Sequence, residues 1–131
     1  MTTDRGSAGA VRPVSLDQAF ARLTESWSPR LVGELNGQHV KIARLEGEFV
    51  WHSHEHEDEL FLVLEGRLRL ELRDGVVELG PGELAVVPRG VEHRPVAVTP
   101  VRCLLFEPAT THSTGGVDDP RGVAPEDLRR G

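Results

Sequence analysis

Residues Trp51 to Gly66, WHSHEHEDELFLVLEG, set three histidines and four acidic residues directly against the apolar run Leu60 to Leu64. Burying imidazole and carboxylate beside such a run is costly unless something compensates them. His52 and His54 lie two apart, so on a strand they project from one face and converge on one point. Glu59 enters the apolar run with the parity of Phe61 and Val63. If those three face the interior of a sheet, Leu60, Leu62 and Leu64 face outward and need a cover. The cover is either the N-terminal segment or a second subunit. Sheet-on-sheet packing between protomers makes a homodimer the favoured expectation.

Working outward, the periodicity from Arg30 to Phe106 is that of strands. Asn36-Gly37 and Asp74-Gly75 are type I′ hairpin signals, and Glu65-Gly66 marks a third reversal. Arg67 to Arg73 alternates leucine with charge, as a half-buried antiparallel strand does. Pro81-Gly82 and Pro88-Arg89-Gly90 isolate Glu83 to Val87 and Val91 to Val98 as further short strands. Strands this close, joined by tight turns, predict a small antiparallel β-barrel or sandwich. Before them, Ser15 followed by Gln18, with Leu16, Ala19, Phe20 and Leu23 at helical spacing, predicts one short helix near 15–23 opened by a capping box. The expected organisation is a flexible N-terminal segment over 1–13, a barrel with its helix over 14–108, and a flexible C-terminal tail over 109–131.

The 131 residues suffice for one core. No apolar run approaches the roughly 20 residues of a spanning helix, and the N-terminus lacks the basic flank and apolar segment of a secretory signal, so a cytoplasmic protein without a membrane partner is expected. A net charge of -6 disfavours nucleic acid. Cys103, the single cysteine, sits in an apolar run and reads as a small buried hydrophobe. The absence of tyrosine excludes a phenolic acid/base and a Cys-Tyr crosslink. No Arg/Lys cluster or Gly-rich loop argues for a phosphorylated substrate.

A fourth candidate donor is His93 in PRGVEHRP, where the turn at Pro88 to Gly90 launches a strand whose Val91, His93 and Pro95 share a face. Imidazole and carboxylate together suit a divalent first-row metal such as Fe, Mn, Ni, Co, Cu or Zn. At this point the chain resembles the cupins, a family of small β-barrels. Their first motif, G(X)5HXH(X)3-4E(X)6G, is matched by Gly47, His52, His54, Glu59 and Gly66, with one residue fewer between Gly47 and His52. Their second, G(X)5PXG(X)2H(X)3N, is matched by Gly82, Pro88, Gly90 and His93, with Ala97 in place of the asparagine. The resemblance implies an all-β fold, a cupin-type antiparallel barrel (a jelly-roll-like double-stranded β-helix). It also implies one divalent transition metal (Fe, Mn, Ni or Zn) held by His52, His54, Glu59 and His93. Asp58 competes with Glu59 as the acidic ligand; parity and the step to Gly66 favour Glu59.

The polar cluster is then the site, and the apolar strand its wall. His56 shares the parity of the pair but lies where the chain turns, and reads as a solvated histidine; at the pocket mouth it would be an acid/base. Glu55, Glu57 and Asp58 read as an acidic turn, His39 and His112 as surface residues, and Trp51 and Phe49 as core or rim packing. The expected function is that of a metal-dependent enzyme on a small, unphosphorylated organic molecule, with oxygenase chemistry ahead of isomerase or lyase chemistry. The alternative is a metal-containing ligand-binding or accessory module without turnover.

Overall fold

The computed structural model describes residues 11–131, so residues 1–10 of the expected N-terminal segment lie outside the described residues. The helix α1, Leu16–Ala21, opens as its sequence predicts: Ser15 Oγ accepts from the Gln18 amide at 3.2 Å. It is shorter than expected, ending at Arg22. Ala19, Phe20 and Leu23 are buried with Ile42, against the half-buried Val32 and Leu64. The N-terminal segment thus covers the Leu64 end of the outward leucine face.

The strands are β1 (Arg30–Leu35), β2 (Gln38–Glu48), β3 (Glu59–Glu65), β4 (Leu68–Leu72), β5 (Gly75–Leu79), β6 (Leu84–Val87), β7 (His93–Pro108) and β8 (Arg129–Arg130). The long β7 organises them. One edge pairs with β2 from Val96 to Pro108; the other pairs with β4 through His93 to Ala97 and with β3 through Arg102 to Phe106. A strand shared in this way rolls the sheet into the expected cupin-type barrel. All pairings are antiparallel except β1 with β8. Of the segment Val91 to Val98, expected as a separate short strand, His93 to Val98 open the long β7.

Alternation along β3 is as read: Glu59, Phe61 and Val63 are buried, while Leu60, Leu62 and Leu64 are half-buried. Asn36 (φ 50) and Gly37 (φ 75) take the left-handed conformations of a type I′ turn. Asp74-Gly75 does not. Leu72 pairs with Gly75, so Arg73 and Asp74 occupy the turn, and neither Asp74 nor Gly75 has positive φ. The register is set instead by apolar cross-strand partners, Leu68 with Leu79 and Leu70 with Val77. Gly66 (φ 87) is required where it stands, because a Cβ there would lie 2.2 Å from the Pro100 carbonyl oxygen.

The core within the barrel includes Phe61, Val63, Leu68, Leu70, Cys103 and Leu105. Cys103 is fully buried, and burial pushes its thiol above the ordinary range. Residues 109–131, expected as a flexible tail, fold back over the barrel. Thr111 and Thr114 are buried, Ser113 and Val123 exchange backbone and side-chain hydrogen bonds, and the Gly131 amide donates to Leu31 O at 2.8 Å. Gly, Pro, Ser, Thr and Asp supply local turns and side-chain-to-backbone bonds as readily as they supply disorder. Among the described residues, no helix is long and apolar enough to cross a membrane.

Candidate metal centre

His52 and His93 are joined before their side chains are considered. Their backbones form a two-way bridge, His52 N to His93 O at 3.0 Å and His93 N to His52 O at 2.9 Å. The segment of His54 is tied to the second motif as well, its carbonyl accepting from the Gly90 amide at 2.8 Å. The tight turn at Pro88 to Gly90 thereby brings together segments that are some forty residues apart in sequence.

Two rings are oriented in the same way. His52 Nδ1 lies 2.9 Å from the Val50 carbonyl, and His93 Nδ1 lies 3.0 Å from the Val91 carbonyl. In a neutral imidazole the Nδ1 proton is donated to that carbonyl, leaving the Nε2 lone pair free to face the barrel interior. Burial, reinforced by His93, lowers the His52 pKa to about 4 against the opposing pull of Val50 O and Glu59, so this ring is neutral at neutral pH.

His54 Nε2 is 3.3 Å from Glu59 Oε1, and His93 Nε2 is 3.5 Å from the same oxygen. One donor atom from each of His52, His54, Glu59 and His93 lies within 4.8 Å of the others, and all four residues are buried. His54 Nδ1 and Nε2, Glu59 Oε1 and His93 Nε2 have no hydrogen-bond partner. Buried acceptors without donors are expensive, and lone pairs converging from three imidazoles and a carboxylate suit a divalent first-row cation. The residues therefore fit a metal, and the structure brings together all four expected ligands.

Glu59 has further neighbours that sequence reading missed. Glu107 and Lys41, both buried, form an ion pair at 2.6 Å with side chains 2% and 4% exposed. Burial alone would push the Glu59 carboxyl up. The neighbouring Glu107, His54 and His93 outweigh it and hold Glu59 well below the usual carboxylate range. Glu107 is driven the other way by burial and by the charge of Glu59, against the pull of Lys41. The two carboxyls are thus pushed in opposite directions: Glu59 is biased towards the anion, and the Lys41 ammonium is what compensates charge on Glu107.

Asp58 is excluded by its own partners. It is exposed and accepts from the Arg89 amide at 2.9 Å, with Arg89 Nη2 3.3 Å away. His56 is 79% exposed on the turn beside Glu55, outside the cavity lining. His39, expected at the surface, is instead buried and 3.5 Å from Glu34, because it shares the inward parity of Lys41 and Ala43 on β2. His112 is half-buried, with Nδ1 3.3 Å from the Thr114 amide. Trp51 is half-buried under the Arg73 guanidinium, 3.8 Å from its ring.

A cavity of about 40 Å³ opens beside the cluster. His52, Glu59, Glu107 and Ser113 are its polar walls, and Trp27, Leu45, Phe49, Phe61 and Leu105 are among its apolar ones. Trp27 and Phe49 stack there, centroids 4.5 Å apart. Phe49 accordingly packs as expected and also faces the cavity. Trp27 carried no signal beyond its apolarity, and Ser113 lay in the segment read as a tail.

Residues 38–107 match the family model for the cupin domain. The fold is similar to that of a cupin-2 domain containing protein from Shewanella frigidimarina NCIMB 400, at 40% identity and a TM-score of 0.71, covering 72% of this chain and 93% of that one. It is also similar to NMB1881 from Neisseria meningitidis, at 30% identity and a TM-score of 0.68, covering 74% and 99%. YdbB from Bacillus subtilis (strain 168) is 38% identical over 64 residues, 48% of this chain; the match spans 57% of YdbB's length. The two motifs, the barrel built on β7 and these matches agree: the chain belongs to the cupin family.

Proposed function

We propose that the chain is a metal-dependent enzyme that binds a divalent transition metal through His52, His54, Glu59 and His93 and acts on a small, unphosphorylated organic molecule. The observation that carries this reading is the set of buried, unpartnered Nε2 and Oε1 atoms converging beside an apolar-walled cavity. A bound metal with open positions supplies Lewis-acid polarisation or dioxygen activation. The chain's own part is to hold two imidazoles in one tautomer through Val50 and Val91, to keep Glu59 anionic beside the Lys41–Glu107 ion pair, and to exclude water with Trp27, Phe49 and Phe61. None of the side chains lining the cavity is Arg or Lys, which suits an uncharged or singly charged substrate better than a phosphate ester. Apolar aromatic walls favour oxygenase chemistry over isomerase or lyase chemistry on a sugar phosphate.

The working unit is proposed to be a homodimer. Leu84 and Val86 on β6 are exposed and lie opposite Leu62 and Leu60, which in turn lie opposite Leu104 and Phe106, so one outer face is apolar across three strands.

The test is elemental analysis of untagged wild type beside His52→Ala/His54→Ala, followed by an aerobic and anaerobic substrate screen. Near-stoichiometric metal in wild type, lost from a variant that keeps its circular dichroism spectrum, is expected. Wild type that takes up none of Fe, Mn, Ni or Zn sinks the proposal; saturable ligand binding without product leaves an accessory module.

A further inference from the structure

We propose that the C-terminal segment 109–131 is a built part of this site: it roofs the cavity and presents the Ser113 hydroxyl as a hydrogen-bond donor to the molecule bound there. The inference rests on the metal-centre reading above and adds a binding residue and a constraint on the substrate.

Ser113 lines the same cavity as His52 and Glu59. Its position is held from two directions, its amide donating to Val123 O at 3.0 Å and its Oγ accepting from the Val123 amide at 2.6 Å. Those bonds use the hydroxyl as acceptor only, so its proton remains to be donated. The other polar walls, His52, Glu59 and Glu107, are engaged with the cluster or with Lys41. Ser113 is thus the cavity's one hydroxyl and its uncommitted donor.

The segment is clamped to the site at three places. Gly115 (φ 62) packs so closely on Ser53, the residue between His52 and His54, that a Cβ would lie 2.0 Å from Ser53 O. Arg121 donates to Glu48 O at 2.8 Å, and its guanidinium lies 4.8 Å from the ring of Phe49, itself a cavity wall. Thr110 Oγ1 donates to Glu57 at 2.8 Å. The close approach at Gly115 admits no side chain, so the sequence there is adapted to contact with the segment that carries His52 and His54.

The match to the cupin domain ends at Glu107, so this roof lies beyond the part of the chain that the family model describes. A donor placed there discriminates among substrates without altering the metal cluster. The substrate class that fits is a small molecule with an apolar body, an oxygen able to approach the metal, and a second acceptor oxygen, carbonyl or hydroxyl, within reach of Ser113.

The test uses the full chain loaded with Co²⁺, with acetohydroxamate as the probe, its binding followed by the cobalt visible spectrum. Ser113→Ala should weaken the probe about three- to tenfold, the worth of one hydrogen bond, and Ser113→Thr should restore it. Gly115→Ala should give a comparable loss while Co²⁺ stoichiometry stays at wild type. In metal-free protein, hydrogen exchange of residues 49–54 should be about tenfold faster in Gly115→Ala, because lifting the roof lowers the local opening free energy. Ser113→Ala that binds the probe within twofold of wild type overturns the donor role, and unchanged exchange in Gly115→Ala overturns the roof. Wild type that takes up no Co²⁺ defeats the metal reading and the donor role with it; the exchange result still decides the roof.

Discussion

Replacing Lys41 by methionine keeps the length of the side chain and removes its charge from a place where water cannot substitute for it. The ammonium and the Glu107 carboxylate meet at 2.6 Å with 4% and 2% of their side chains exposed. Breaking such a buried pair costs about 3–5 kcal/mol when the remaining charge is left uncompensated. Glu107 has an escape, because burial and the neighbouring Glu59 already drive its carboxyl above the ordinary range and Lys41 is the group that opposes them. In Lys41→Met the carboxyl takes up a proton, and the expected loss at neutral pH is at the lower end, about 2–3 kcal/mol. The sign of the pH dependence follows. A carboxyl whose folded pKa lies above its unfolded value binds a proton in the folded state that the unfolded state has released. Its contribution is therefore complete below the unfolded value, about 4.3, and is lost as pH rises towards the folded one, by up to about 1.4 kcal/mol per pH unit. Urea denaturation of metal-free wild type and variant from about pH 5 to about pH 8 should show a deficit that widens with pH. In Lys41→Met/Glu107→Gln, where no proton can be exchanged at that position, the widening should disappear. A deficit under about 1 kcal/mol throughout, or one that shrinks as pH rises, would refute the reading of Lys41 and Glu107 as a buried ion pair.

The remaining expectations concern the cluster and the outer face. His52 has a folded pKa of about 4 against 6.5 for the free side chain, so its stabilising contribution is complete above 6.5 and is lost as pH falls towards 4. At one proton this amounts to roughly 3 kcal/mol at most. Metal-free wild type should lose that stability in thermal melts across the window, and His52→Gln should flatten the slope; a variant as acid-sensitive as wild type would place the titration elsewhere. On the outer face, Leu84→Lys/Val86→Lys should convert a dimer to a monomer in sedimentation velocity with the circular dichroism spectrum unchanged. A wild type that already sediments as a monomer at micromolar concentration would leave the Leu60–Leu62–Leu84–Val86 surface without the proposed partner.

What was legible in the sequence follows from the period of a strand. His52 and His54 share a face at spacing two, Glu59 shares parity with Phe61 and Val63, and each of these placements depends only on the local alternation of β3 and of the segment before it. His93 required the glycine and proline of the second motif, because its approach to His52 depends on a turn and not on alternation. Lys41 and Glu107 were invisible for a different reason. Lys41 lies on β2, which is apolar on both faces: Ala43 and Leu45 pack into the barrel while Ile42 packs beneath α1, and Glu107 lies on β7. Without a polar face to mark the outside, the histidine at 39 reads as a surface residue and nothing marks Lys41 as buried. The pairing that would have corrected this joins residues 66 apart. Once Ala43 is set opposite Cys103, however, Lys41 and Glu107 fall on the inward parity of their strands, the same parity that singled out Glu59. The C-terminal segment failed on composition. Its glycines, serines and prolines serve a polar coil and a tightly turned roof equally well, and what separates the two is a contact that composition does not encode, Gly115 against the carbonyl between two of the proposed ligands. The candidate metal cluster is therefore legible from local spacing and the turn of the second motif, whereas Lys41, Glu107 and Ser113, the groups proposed to tune its charge and to offer a donor, become visible only through pairings that the tertiary fold creates.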